Sequence, residues 1–380
     1  MGTLRTARAV TEVDPMTSTQ IHPHPERRFQ PRSARGLHVV RVHAQEATEL
    51  AAIATVANAA YFPGLAALVN SLHLTGHTCK VTVLDLGLTD DQRSRLAPFC
   101  RFIAADAELA RHPMLAKATV ASHVAEQGVV VVVDADVIIT GDLSPLVRAA
   151  GQGRIAAVRD VDQRRFTEWQ ELLDLADAPR YQAYINSGLV AFSNVHWPDL
   201  PKWWNDACSR VPHEATRSGG APASSPLWDS DQDALNAVLM TRIPDSALMA
   251  LEPDEFPLSR DHRLATKVLD SGRLACSHRG ASVIAIHDAG LHARPWLPWA
   301  ARGVRRDSYT RLLPRLWFAD DLAVKLRADE VAPWMATGLI PRIHLAALDV
   351  RNAATAMVAN GRTAARDRLQ ARLRGSRRRP

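Results

Sequence analysis

Apolar and polar positions divide the chain into three stretches. Residues 1 to about 47 mix Pro15, Pro23, Pro25 and Pro31 with His, Arg, Ser and Thr and show no apolar period, which predicts a disordered leader. From Leu50 a strand–helix alternation begins. LAAIATVAN reads as a strand ending near Asn58. YFPGLAALVNSLHLTG, apolar at Leu65, Leu68, Val69 and Leu72, reads as a helix stopped by Gly76. CKVTVLDLG, CRFIAAD and the valine run from Val129 predict three more strands. Helices are predicted through TDDQRSRLAPF, with Thr89 as N-cap, and from about Met114 to Ala125. Five consecutive valines are too few to span a membrane and rich in β-branching, so they predict a buried central strand.

Beyond Asp136 the pattern loosens. DLSPLVRAA, FTEWQELLDLAD, the Trp-rich stretch from Pro198 to Arg210 and SDQDALNAVL predict helices; IAAVRD, YINSGLVAFSN and SVIAIHDAG predict strands, the last ending in His287. From about Asp307 the chain is predicted helical. The expected fold class is α/β, a mainly parallel mixed sheet covered by helices on both faces. The expected domains are a leader over 1–47, a catalytic-type domain over 48–306 and a helical C-terminal extension over 307–380.

Charge changes this picture only at the ends. The formal net charge is +6, but residues 362–379 hold eight arginines against Asp367, and residues 1–41 hold seven arginines against three acids. The body between them is mildly acidic, which argues against a nucleic-acid-binding body. Leu369 and Leu373 among the later arginines suit a basic amphipathic helix on an anionic membrane surface; a solvated tail is the plain alternative. Cys79, Cys100, Cys208 and Cys276 are scattered with no C-x-x-C pair, as expected of reduced thiols in a cytoplasmic protein. No apolar run has transmembrane length, and the N-terminal arginines lack the apolar run of a secretory signal.

The chemistry gathers at strand ends. Asp134 and Asp136 follow the valine strand, and two carboxylates there are costly without a cation. In open α/β sheets ligands sit at the carboxyl ends of strands, so a divalent cation holding a phosphorylated ligand is one reading. A phosphohydrolase nucleophile at Asp134 and an ordinary turn before Asp142 are the others. His287, at another strand end, would complete a set that suits Mn²⁺ well and Mg²⁺ acceptably. Gly290 and Arg294 follow it, a small residue and a guanidinium fork apt for a diphosphate. Asp231 and Gln232 open a helix; they either complement its dipole or hold sugar hydroxyls, and Asn186 has the same double character. Trp197, Trp203 and Trp204 either pack or stack on sugars.

D-A-D after a valine strand, then N-S-G, D-Q-D-A-L-N, and H-x-x-G followed by R-P-W, in that order over roughly residues 50 to 300, resembles the family 8 retaining glycosyltransferases. The resemblance implies a GT-A fold, a nucleotide-diphosphate sugar donor, usually UDP-linked, and Mn²⁺. It implies metal ligation by Asp134, Asp136 and His287, and diphosphate contacts from Gly290 and Arg294. Ala135 falls where the ribose is held, and Thr55, Asn58 and Tyr61 fall where the uracil is cradled. Lys117 matches a basic residue near the donor. Asn186, Asp231 and Gln232 fall in the region of the donor sugar and the saccharide or glycolipid acceptor. Asn58 replaces a usual acid, Ala60 a usual polar residue and Arg294 a usual lysine, and the spacing from Gly290 to R-P-W is one residue longer than usual. Two rivals are a haloacid-dehalogenase-like phosphohydrolase and a non-catalytic nucleotide-sugar-binding relative.

Overall fold

The five valines occupy the centre of the sheet and divide its two cores. In the computed structural model, which describes residues 51–106, 109–110, 116–124, 128–289, 294–297, 307–332 and 335, they form β4 (Val129–Val133). Its side chains alternate, as a strand's must. Val129, Val131 and Val133 enter one core, while Val130 and Val132 enter the other. All five are buried, at about 1.5–3 kcal/mol for each such side chain removed from water.

The other strands of this sheet are β1 (Ala51–Ala57), β2 (Val81–Asp85), β3 (Cys100–Ala104), β6 (Ile155–Arg159), β7 (Ile185–Ser193) and β8 (Leu248–Leu251), in the order β3-β2-β1-β4-β7-β6-β8. Every strand but β7 runs the same way, since β7 is antiparallel to both β4 and β6. The expected mainly parallel, mixed sheet is therefore present. The chain steps from β1 out to β3 and then returns to place β4 beside β1. That reversal opens a crevice at the carboxyl ends of β1 and β4, the usual ligand position in such sheets.

Helices cover both faces. α1 (Phe62–Leu74), entered through Pro63 in its first turn, is buried from Phe62 to Leu72 against the first core. α2 (Asp90–Leu96) starts in a complete capping box between Thr89 and Gln92. α3 (Ala116–His123), α6 (Leu200–Cys208) and α7 (Asp231–Arg242) pack on the second face, and α4 (Ser144–Gly151) on the first. The helix expected over FTEWQELLDLAD is only one turn, α5 (Trp169–Leu172). It stops because Asp174 turns into the left-handed region (φ 52°), and Leu175 N–H bonds back to Gln170 C=O at 2.8 Å.

SVIAIHDAG forms a strand, but outside the main sheet. β12 (Ala285–His287) pairs antiparallel with β5 (Val137–Ile139), directly after the two aspartates. A three-stranded antiparallel sheet of β9 (Lys267–Asp270), β10 (Ala275–His278) and β11 (Ala281–Ser282) follows the short α8 (Arg260–Ala265). These short strands, and β8, have too little apolar alternation to be read from sequence.

α9 (Ser308–Phe318) begins the predicted C-terminal helical region, but residues 319–327 are irregular and, among the described residues, only Ala328–Glu330 make a further, 3₁₀ turn. Continuous helix over that stretch is thus not observed. This segment belongs to the first core. The buried Asn70 amide donates to Leu316 C=O (2.7 Å) and Val324 C=O (2.6 Å) and accepts from Val324 N–H (2.8 Å). Trp317 Nε1 donates to Pro63 C=O at 2.9 Å. The leader over 1–47 and the arginine-rich end lie outside the described residues. No helix among the described residues is long and apolar enough to cross a membrane.

Candidate functional site

Asp134 leaves the end of β4 and Asp136 enters β5 two residues later. The bend is fixed by Val137 N–H donating to Asp134 C=O (3.1 Å) and Asp134 N–H donating to Gly188 C=O on β7 (3.0 Å). The β5–β12 pair sets His287 opposite Val137, and Asp288 N–H donates to Asp136 C=O at 3.2 Å. Register alone therefore brings the imidazole to the two carboxylates. His287 Nε2 stands 3.3 Å from Asp134 Oδ2 and 3.2 Å from Asp136 Oδ1. One ligand atom from each of the three residues lies within 4.8 Å of the others.

Two cations flank this cluster. Arg294 Nη1 is 2.7 Å from Asp136 Oδ2, and its Nε donates to the Tyr61 hydroxyl at 3.2 Å. Lys117 Nζ is 3.0 Å from Asp134 Oδ1 and 2.7 Å from Asp231 Oδ2, and donates to Ser187 Oγ at 2.8 Å. Burial penalises every one of these charges. Against that penalty Lys117 and His287 hold Asp134 well below the usual carboxylate range, and Arg294 and His287 hold Asp136 below it. Burial alone would push His287 down, yet Asp136 and Asp134 raise it to about 9. Asp231 is different: burial pushes its carboxyl up in spite of Lys117.

A second, less charged network adjoins through Lys117 and Ser187. The amide of Gln232 uses both ends. Its Oε1 accepts from Asn186 Nδ2 (2.9 Å) and Ser187 N–H (3.1 Å), and its Nε2 donates to Asp160 Oδ2 and the Tyr184 hydroxyl (3.2 Å each). Asn186 also donates to Asp160 Oδ2 at 3.0 Å. The Tyr184 hydroxyl donates to Asp233 Oδ1 (2.8 Å), which Arg164 Nε meets at 3.1 Å. Asp231 accepts from Ser187 Oγ at 2.9 Å, and its backbone carbonyl accepts from Trp204 Nε1 at 3.0 Å. Ser230, just before it, holds a left-handed backbone (φ 52°), a strained conformation for a residue with a Cβ.

The structure thus brings together Asp134, Asp136, His287, Arg294, Tyr61, Lys117, Asn186, Asp231 and Gln232. Ala135 is buried at the bend, and its carbonyl explains Gly64 in α1, because a Cβ there would lie 2.8 Å from that oxygen. Thr55 is buried inside β1, with no hydrogen-bond partner for its hydroxyl among the described residues. Asn58 caps the turn at Ala59–Tyr61, accepting Tyr61 N–H at 3.2 Å. Gly290 lies outside the described residues. Trp204 is buried, and Trp197 packs with its Nε1 donating to Gly153 C=O at 2.9 Å.

Several site residues escape sequence reasoning. Asp160, Tyr184 and Ser187 enter the network from β6 and β7, and Asp288 is held by Arg263 (3.1 Å), itself paired with Asp307 (2.7 Å). Gly188 is the clearest. A Cβ there would fall 2.3 Å from His287 Cε1, so glycine is what lets the imidazole reach the aspartates. The N-S-G triplet marks the place, but only the packing of β7 against β12 reveals that requirement.

Neither a family model nor a curated relative matches this chain. Among solved structures it is similar to the galactosyltransferase LgtC in complex with donor and acceptor sugar analogues (18% identity, 71% of this chain, 97% of that one, TM-score 0.46). It is similar also to an active-site mutant of LgtC (18% identity, the same coverage, TM-score 0.47). The bifunctional glycosyltransferase WbbM is a third such likeness (15% identity, 70% of this chain, 49% of that one, TM-score 0.46). At these values they stand as likenesses, and the reading below rests on this chain's own residues.

Proposed function

We propose that this chain is a metal-dependent glycosyltransferase that moves a hexose from a nucleotide-diphosphate sugar, UDP-linked, to the hydroxyl of a saccharide or glycolipid acceptor. The observation that carries the reading is the convergence of Asp134, Asp136 and His287 at the crevice between β1 and β4, flanked by Arg294 and Lys117. Two carboxylate oxygens and one imidazole nitrogen fit Mn²⁺ well and Mg²⁺ acceptably. When bound there, the cation supplies charge neutralisation for the diphosphate leaving group.

The chain's own residues then have distinct tasks. Arg294, fixed by Tyr61 and Asp136, offers a planar guanidinium to the diphosphate oxygens. Asn186, Asp231 and Gln232 sit where a sugar's hydroxyls can be held. Gln232 has both amide atoms engaged, and Asp231 is held by Lys117 and Ser187. Side chains so restrained position a sugar better than they attack one. This favours a retaining, front-face path in which the acceptor hydroxyl attacks the anomeric carbon and the departing phosphate oxygen takes its proton. A phosphohydrolase with Asp134 as nucleophile is less favoured, because that carboxylate is held by Lys117 and His287. The proposal extends to a cytoplasmic protein whose basic segment, residues 362–380, rests on an anionic membrane surface beside a lipid-linked acceptor. Deleting that segment should then abolish pelleting with anionic liposomes.

Nucleotide release from a UDP-sugar panel tests the main reading. Release that requires Mn²⁺ is expected. Phosphate release from phosphomonoesters, without nucleotide release, would replace it with the phosphohydrolase.

A further inference from the structure

Asp288 follows His287 directly and holds two arginines at once. One of its carboxylate oxygens lies 3.1 Å from Arg263 Nη2, and the other lies 3.6 Å from Arg294 Nη1. Its backbone acts on the same neighbours. The carbonyl accepts from Arg294 Nη1, while the N–H donates to Asp136 C=O at 3.2 Å. Arg263, on α8, makes this arrangement rigid. It is buried, and each of its three guanidinium nitrogens is engaged. Nε meets Asp307 Oδ2 at 2.7 Å, Nη1 donates to Leu258 C=O (2.7 Å) and His287 C=O (3.0 Å), and Nη2 meets Asp288. A planar fork filled in this way fixes the carboxylate it holds.

The charges around Asp288 then divide in a telling way. Arg263 and Arg294 are balanced by Asp288 and Asp307, without any call on Asp136. Asp136 is claimed twice, by Arg294 at 2.7 Å and by the ligand set that it forms with Asp134 and His287. Of the two carboxylates that Arg294 meets among the described residues, Asp288 is the one outside that set. Without the Asp288 charge, the largely buried Arg294 would have Asp136 as its one carboxylate there, and a shielded cation holds a sole counter-charge tightly.

We infer that Asp288, fixed by Arg263, is a positioning residue that carries the counter-charge of Arg294. It thereby keeps Asp136 available to the metal and keeps the guanidinium in place for the diphosphate. The inference rests on the glycosyltransferase reading and deepens it, giving the metal and the arginine separate carboxylates.

A double-mutant cycle on the full chain tests this, with Mn²⁺ affinity read by titration calorimetry. Asp288→Asn keeps the shape and removes the charge, and should weaken Mn²⁺ binding about tenfold. The same substitution made on Arg294→Gln should change Mn²⁺ affinity by no more than about twofold, because no guanidinium then competes for Asp136. Asp288→Ser takes the same place in the cycle if circular dichroism shows the asparagine protein unfolded. An equal loss with and without Arg294 would overturn the inference, since a displaced His287 or a weaker local field gives that result. No loss in either background, or no Mn²⁺ binding by the parent, would overturn it as well. Mn²⁺-dependent nucleotide release by the parent, measured separately, tells the two failures apart: if it persists, only the role of Asp288 falls, and if it is missing the donor reading has failed.

Discussion

The two halves of the site solve the problem of buried polarity in opposite ways. At the β4–β5 bend, ionised groups are buried and matched by ionised partners: Asp136 by Arg294, Asp134 by Lys117, both by His287. At the start of α7, an amide, hydroxyls and carboxylates satisfy one another through directed hydrogen bonds centred on Gln232. The first arrangement presents concentrated charge, suited to a cation and a diphosphate. The second presents fixed donors and acceptors, suited to hydroxyls. Lys117 is the joint, with one ammonium meeting Asp134 on one side and Asp231 on the other. On the proposed reading, binding the leaving group and orienting the sugar fall to separate side-chain sets that share a single cation.

The largest effect should come from breaking the charged half. Asp136→Ala removes one ligand and Arg294's partner, and should lower Mn²⁺-dependent nucleotide release by on the order of 10³-fold, with Mn²⁺ binding lost in titration calorimetry. Gln232→Ala, in the other half, should lower kcat about 10²-fold while leaving Mn²⁺ affinity unchanged. If Gln232→Ala also abolished Mn²⁺ binding, the two halves would not be separable. Lys117→Met should damage both. It leaves Asp134 and Asp231 buried without their common cation, and should cost about 3–5 kcal/mol in urea unfolding.

Legibility in the sequence follows the same division. The charged half was readable because Asp134 and Asp136 sit in a short contiguous motif behind a strand whose valines could only be buried. His287 was readable as a strand end, though its strand pairs with β5 and not within the main sheet. The second half is assembled from positions 160, 164, 184, 186, 187 and 231–233, and no local period links Asp160 to Gln232. Helix length failed at residues 166–177, where Asp174's positive φ, a tertiary choice, ends α5 after one turn. The C-terminal segment misled in another way. Its apolar residues suit helix, but Asn70 holds Val324 by its backbone, and that contact draws the chain across α1.

A subtler break enters through glycine. Gly188→Ala places a methyl 2.3 Å from His287 Cε1, in a β-strand where alanine is otherwise welcome. The ring must move, and Mn²⁺ affinity should fall about 10–100-fold, with the far-ultraviolet circular dichroism of the parent retained. Unchanged affinity would mean that His287 is not held against the aspartates as the packing requires.

The smallest expected effect separates Asp233 from Asp134 and Asp136 by the sign of their pH response. Burial pushes the Asp233 carboxyl up to about 7, against the Arg164 guanidinium beside it. Its folded value lies above its unfolded one, so the stability it contributes is complete below about pH 4 and is lost as pH rises through 7. Asp134 and Asp136 are held below their ordinary range, so their contribution is present above about pH 4 and is lost as pH falls through their lowered values. Between pH 5 and 8 Asp229, raised to about 6, and His287, raised to about 9, also give falling slopes, so Asp233 is read by difference, its own share being at most one proton's worth, or about 1.4 kcal/mol per pH unit. Asp233→Asn should make the falling slope shallower in urea melts, whatever it does to stability at any single pH. A slope unchanged by the substitution would place the titrating group elsewhere and remove the electrostatic distinction between Asp233 and the two aspartates of the bend.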